Sequence, residues 1–106
     1  MGRVTYVEHD GREHAIEIED GVSVMRGAVD NGVPGIDADC GGMCACATCH
    51  VHVAPDWFAR TGGPGVQEGE LLELAPERDE TSRLSCQIAM RPALDGLVVR
   101  LPISQH

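Results

Sequence analysis

Residues 3–9, "RVTYVEH", and 13–19, "EHAIEIE", alternate apolar and polar positions with period two, the pattern of strands that bury one face. Between them Asp10-Gly11 is the dipeptide that supplies the positive φ angles of a tight hairpin turn, so a β-hairpin is expected to open the chain. The period then changes. In "SVMRGAVDNG", residues 23–32, Val24 and Ala28 are four apart, as are Met25 and Val29. Ser23 can cap a short helix that Gly32 ends, with Pro34 just beyond. This helix should pack on the hairpin. Further on, "HVHV" at 50–53 predicts a brief strand, "APDWFARTGGPG" at 54–65 a turn-rich connection, and "VQEGELLELA" at 66–75 a short helix halted by Pro76. "SRLSCQI" at 82–88 and "DGLVVRLP" at 95–102 have the β-branched and apolar content of two more strands. This order predicts an α+β fold, one mixed sheet with helices packed against it.

The 106 residues suit a single domain spanning 1–106. The opening "MGRVTYVEHDG" is too charged for a signal peptide, and no apolar run reaches membrane length, so a soluble, cytoplasmic protein is expected. Seventeen acidic and eight basic residues leave a formal charge of −9, which disfavours nucleic acid and anionic membrane and favours a basic protein partner. Much of that charge lies in "EIED" at 17–20 and in "EGELLELAPERDE" at 68–80. Only three aromatic residues, Tyr6, Trp57 and Phe58, are available to a core of this size. A rigid inorganic centre would add order that the side chains do not.

Such a centre is signalled by "DCGGMCACATCHVHV" at 39–53, which carries four of the five cysteines. In a reducing compartment an odd, crowded set of thiols points to metal ligation or redox chemistry rather than disulfides. Cys40, Cys46 and Cys49 form C-x5-C-x2-C, Cys86 follows after thirty-six residues, and Cys44 is left over. Three ligands in a loop and one distant suit a [2Fe–2S] cluster, in which each iron takes two thiolates, although plant-type spacing has four residues in the first gap. Gly41, Gly42, Ala45, Ala47 and Thr48 are small enough to let backbone N–H groups approach the negative sulfurs. Zinc is the first alternative, but structural zinc sites usually pair two short knuckles and only one is present. A redox-active pair of Cys46 and Cys49 is another; it would be expected at a helix start, whereas this pair runs into a strand. Unligated buried cysteines are the third.

With those positions placed, the chain resembles the [2Fe–2S] ferredoxins of the adrenodoxin and putidaredoxin family, on "VEHDG", "DCGGMCACATCHV", "SRLSCQI" and "LDGLVVRLP". The resemblance implies a β-grasp, ubiquitin-like fold and ligation of one [2Fe–2S] cluster by Cys40, Cys46, Cys49 and Cys86. It implies a one-electron carrier rather than an enzyme, running from an NAD(P)H-dependent FAD ferredoxin reductase to a cytochrome P-450 or other oxygenase, and a monomer. It also implies docking acids at Asp39, Glu70 and Glu73, with Glu68 adjacent. Glu70 and Glu73 would share a face from which Leu71 and Leu74 point away. His50 would buttress the cluster loop without ligating, and His9, His14 and His52 would be ordinary surface or strand residues. Two departures bear on the acceptor: the chain ends in His106 rather than an aromatic residue, and its acidic helix is sparser than in adrenodoxin. Cys44 lies in a "CACxTCH" context similar to ferredoxins of iron–sulfur cluster assembly, which makes that machinery the alternative acceptor. A non-redox zinc-binding interaction module is the alternative of another class.

Overall fold

The computed structural model describes residues 2–34, 36, 49–75 and 77–103. Asp39, Cys40, Cys44, Cys46 and His106, all singled out above, lie outside them. Five strands form one mixed sheet: β1 (Gly2–Val7), β2 (Glu13–Ile18), β3 (His50–Val53), β4 (Ser82–Leu84) and β5 (Leu97–Arg100), in the order β2-β1-β5-β3-β4. The central pair β1 and β5 is parallel, and the other pairings are antiparallel.

The opening hairpin forms as its period predicts, with Val4 and Tyr6 completely buried on one face of β1. Its turn differs from the expected two-residue type. Glu8 N–H donates to Arg12 C=O at 2.7 Å and Gly11 N–H to Glu8 C=O at 2.9 Å, and only Gly11 has positive φ, at 94°. This is a wider turn closed by a glycine bulge. Asp10 contributes its side chain instead, accepting from Arg12 N–H at 3.1 Å.

Helix α1 (Val24–Asp30) begins at Ser23, whose hydroxyl accepts from Arg26 N–H at 3.0 Å. It lies tightly on the sheet at Gly27, where an added Cβ would stand 2.6 Å from Ile18 Cδ1 and 3.0 Å from the Tyr6 hydroxyl. Tyr6 donates to Val24 C=O at 2.6 Å, tying helix to sheet, and burial pushes its phenol pKa upward.

Two expectations are corrected. Residues 54–65 contain a helix, α2 (Pro55–Thr61), with Pro55 in its first turn, Asp56 and Arg60 placed favourably for the helix dipole, and Gly62 closing it at φ 76°. The segment "SRLSCQI" is strand only at Ser82–Leu84, and Ser85–Gln87 turns into a 3₁₀ helix, so Cys86 sits beyond the ladder. Helix α3 (Val66–Leu72) forms within the predicted span, ending before Glu73.

Candidate cluster site

At the end of the sheet where β3 begins, the last β3–β4 pair is His50 with Leu84. Just past it, Ser85 N–H and Ser85 Oγ both donate to the Cys49 carbonyl, at 2.9 and 2.7 Å. The backbone of residue 49 is thereby held against residue 85, and Cys86 follows one position on. Two thiol residues far apart in sequence are brought to the same place. Cys49 is fully buried and Cys86 partly so, with Gln87 Nε2 at 3.5 Å from Cys86 Sγ. The sequence indicates both as ligands; only the tertiary structure joins them.

Behind this contact lies a buried ion pair. Arg83 Nε donates to Glu68 Oε2 at 2.6 Å and its Nη2 to Glu68 Oε1 at 3.2 Å, and Leu84 N–H also donates to Oε2, at 2.9 Å. Arg83 Nη1 reaches the carbonyls of Thr61 and Gly62 at 3.1 and 2.7 Å, closing the end of α2. One side chain thus fastens α2, α3 and β4 together beside the Cys86 turn. Glu68, expected next to the docking acids, is corrected here: its side chain is 6% exposed and fully engaged, so it has no carboxylate to offer a partner. The reason is helical spacing, because Glu68 and Leu72 are four apart and make the inner face of α3. Glu70 and Glu73 are exposed. Leu71 is partly buried, whereas Leu74, at 77% exposure, stands on the surface.

His50 is buried beside Cys49, its Nε2 2.7 Å from Ser82 Oγ. Burial, reinforced by neighbouring His52, holds its pKa down to about 4, so the ring is neutral at physiological pH. The His52 ring stands edge-on to it at 4.7 Å and meets Asp79 Oδ1 through Nδ1 at 3.1 Å. Burial raises the Asp79 pKa, but donation from the Thr81 hydroxyl and N–H and from His52 outweighs this and leaves the carboxyl below its ordinary value. His14 also has a defined partner, Glu8 Oε2 at 2.6 Å, while His9 is exposed. Sequence reading missed Ser85 and Arg83. The visible signal for the latter was a lone arginine in a segment of strand composition.

Comparison with known proteins places this geometry. A family model described as a 2Fe-2S iron-sulfur cluster binding domain matches residues 7–91. Ferredoxin CarAc from Sphingomonas sp. is 52% identical over 97% of this chain and 94% of its own length. The crystal structure of a reduced putidaredoxin variant from Pseudomonas putida is 43% identical, superposes with a TM-score of 0.96, and is matched over 99% of this chain and 100% of its own. The covalent complex of putidaredoxin with putidaredoxin reductase contains a chain 46% identical, with a TM-score of 0.90 over 95% of this chain and 98% of that one.

Proposed function

We infer the role of this chain from the premise that it belongs to the [2Fe–2S] ferredoxins of the putidaredoxin and adrenodoxin type, with a β-grasp fold and one [2Fe–2S] cluster as cofactor. It is an electron carrier rather than an enzyme. We propose Cys40, Cys46, Cys49 and Cys86 as the ligands. The observation that carries this is the Ser85 contact, which places Cys49 and Cys86 at one end of the sheet, where soft thiolates suit iron.

The cluster supplies one-electron chemistry when bound. The chain's own residues set its surroundings: the neutral His50 adds no charge, and buried Ser82, Arg83 and Glu68 fix the backbone behind the thiols. Electrons would arrive from an NAD(P)H-dependent FAD ferredoxin reductase and pass to a cytochrome P-450 monooxygenase or other oxygenase. Support for the first partner comes from putidaredoxin, whose covalent complex with its reductase is among the matching structures. Glu70 and Glu73 on α3, with Asp39, would meet basic patches of either partner through a contact weak enough to release quickly. The carrier would act as a monomer in the cytoplasm; among the described residues no helix is long and apolar enough to cross a membrane.

Visible absorption of the purified holoprotein during anaerobic reduction tests the cofactor. A red-brown protein that bleaches on taking up one electron is expected, and a colourless protein holding stoichiometric zinc would overturn the reading. Docking is tested by reductase-driven reduction at rising salt. The rate should fall as screening grows, and a rate indifferent to ionic strength would defeat the electrostatic account.

A further inference from the structure

We propose that Ser85 is a positioning residue for the cluster, its hydroxyl locking the Cys86 turn onto the Cys49 strand; this rests on the assignment of those two cysteines as ligands. Ser85 has no exposed surface, and its N–H and Oγ–H converge on a single acceptor, the Cys49 carbonyl, at 2.9 and 2.7 Å. Both lone pairs of that oxygen are thereby used. The place is particular. The β3–β4 ladder ends at His50 and Leu84, and Ser85 opens the 3₁₀ turn, so the main-chain bond alone would hold the start of the turn to Cys49 through a single contact. A second donor from the same residue onto the same oxygen closes a small ring and fixes the direction of that contact.

The rest of the turn is tied from the other side. Ile88 N–H donates back to Ser85 C=O at 3.3 Å, and Arg83 Nη2 lies 3.5 Å from Gln87 C=O. Alanine at this position would keep the N–H bond and lose the ring. A larger side chain would have to displace packed neighbours, because the residue is completely buried. The hydroxyl therefore does for two ligand residues what a supporting hydrogen bond does for a metal-binding histidine: it fixes direction before and after the charge on the centre changes.

The test compares Ser85→Ala and Ser85→Cys with the wild-type holoprotein, and uses Tyr6→Phe as a matched control. Tyr6 also donates a buried hydroxyl to a backbone carbonyl, that of Val24, but from β1, which β5 and β3 separate from β4 in the sheet. Two readouts are taken: the rate at which a chelator removes visible absorption, and the low-temperature spin signal after one-electron reduction. Ser85→Ala should lose its cluster about fivefold faster, the equivalent of one buried hydrogen bond, with shifted g-values. Ser85→Cys, a weaker donor of similar size, should fall between, and Tyr6→Phe should leave the spin signal unmoved. A Ser85→Ala protein with wild-type release and spin signal would overturn the proposal, as would equal spectral shifts in Tyr6→Phe. Should the alanine variant not fold, an unchanged Ser85→Cys protein overturns it. A wild-type protein without a cluster signal would instead defeat the ligand assignment.

Discussion

The two sides of the sheet are held by different forces. Around β1, β2 and α1 the buried residues are Val4, Tyr6, Ile18, Val24, Met25 and Ala28, apolar except for one phenol. The other buried polar or charged side chains among the described residues lie on β3, β4, α3 and the turn after β4: His50, Glu68, Ser82, Arg83 and Ser85. Apolar burial is strong but non-directional, so it sets which faces meet without fixing a side chain to a fraction of an ångström. Hydrogen bonds and paired charges are directional and costly to leave unmet. The half that carries Cys49 and Cys86 buries several directional groups, and the half around β1, β2 and α1 buries the Tyr6 hydroxyl alone.

The contrast is tested most severely at Arg83. Arg83→Met leaves the Glu68 carboxylate buried without its cation and should cost about 3–5 kcal/mol, measured by chemical unfolding of the holoprotein, with faster cluster loss. Adding Glu68→Leu should recover part of the stability, since a buried pair replaced by apolar residues is often tolerated, while the freed Thr61 and Gly62 carbonyls keep recovery incomplete. A wild-type midpoint for Arg83→Met would erase the distinction between the two sides. Gly27→Ala probes the apolar side: the new methyl would press on Ile18 and Tyr6. Overpacking of about 1–3 kcal/mol, reduced by about 1 kcal/mol of helix propensity, should appear in the same unfolding measurement, with visible spectrum and reduction potential unaltered.

A smaller effect is expected at Tyr6. Tyr6→Phe removes the bond to Val24 and should cost about 1 kcal/mol, again without a spectral change. The smallest change in stability belongs to Glu70→Gln and Glu73→Gln, within about 0.5 kcal/mol, because both acids are exposed. Their effect should instead be kinetic: slower reduction by the reductase at low salt, converging with wild type at high salt. Unchanged rates at low salt would remove these acids from the docking surface.

How far each side was legible follows from the same difference. Period-two alternation and the Ser23 cap are local, repeating signals, and β1, β2 and α1 lie close to where they are expected. Helix α2 was written in Pro55, Asp56 and Gly62 but lies in a stretch whose glycines and prolines dominate a reading by composition. Glu68 was misplaced for a different reason. A carboxylate in an acidic helix resembles its exposed neighbours until a cation from another element is known to reach it, and Arg83 is fifteen residues away.

The amino-acid sequence by itself determined the crowding and spacing of the cysteines, the acidic balance and the alternation that commits the opening segments to a sheet, because each depends on residue type and short spacing. The tertiary structure decided which carboxylate is spent inside the protein, where β4 stops, and that Ser85 rather than sequence proximity joins Cys49 to Cys86. Those outcomes depend on directional contacts between groups remote along the chain, and a hydrogen bond has no trace in the sequence until the fold brings its donor and acceptor together.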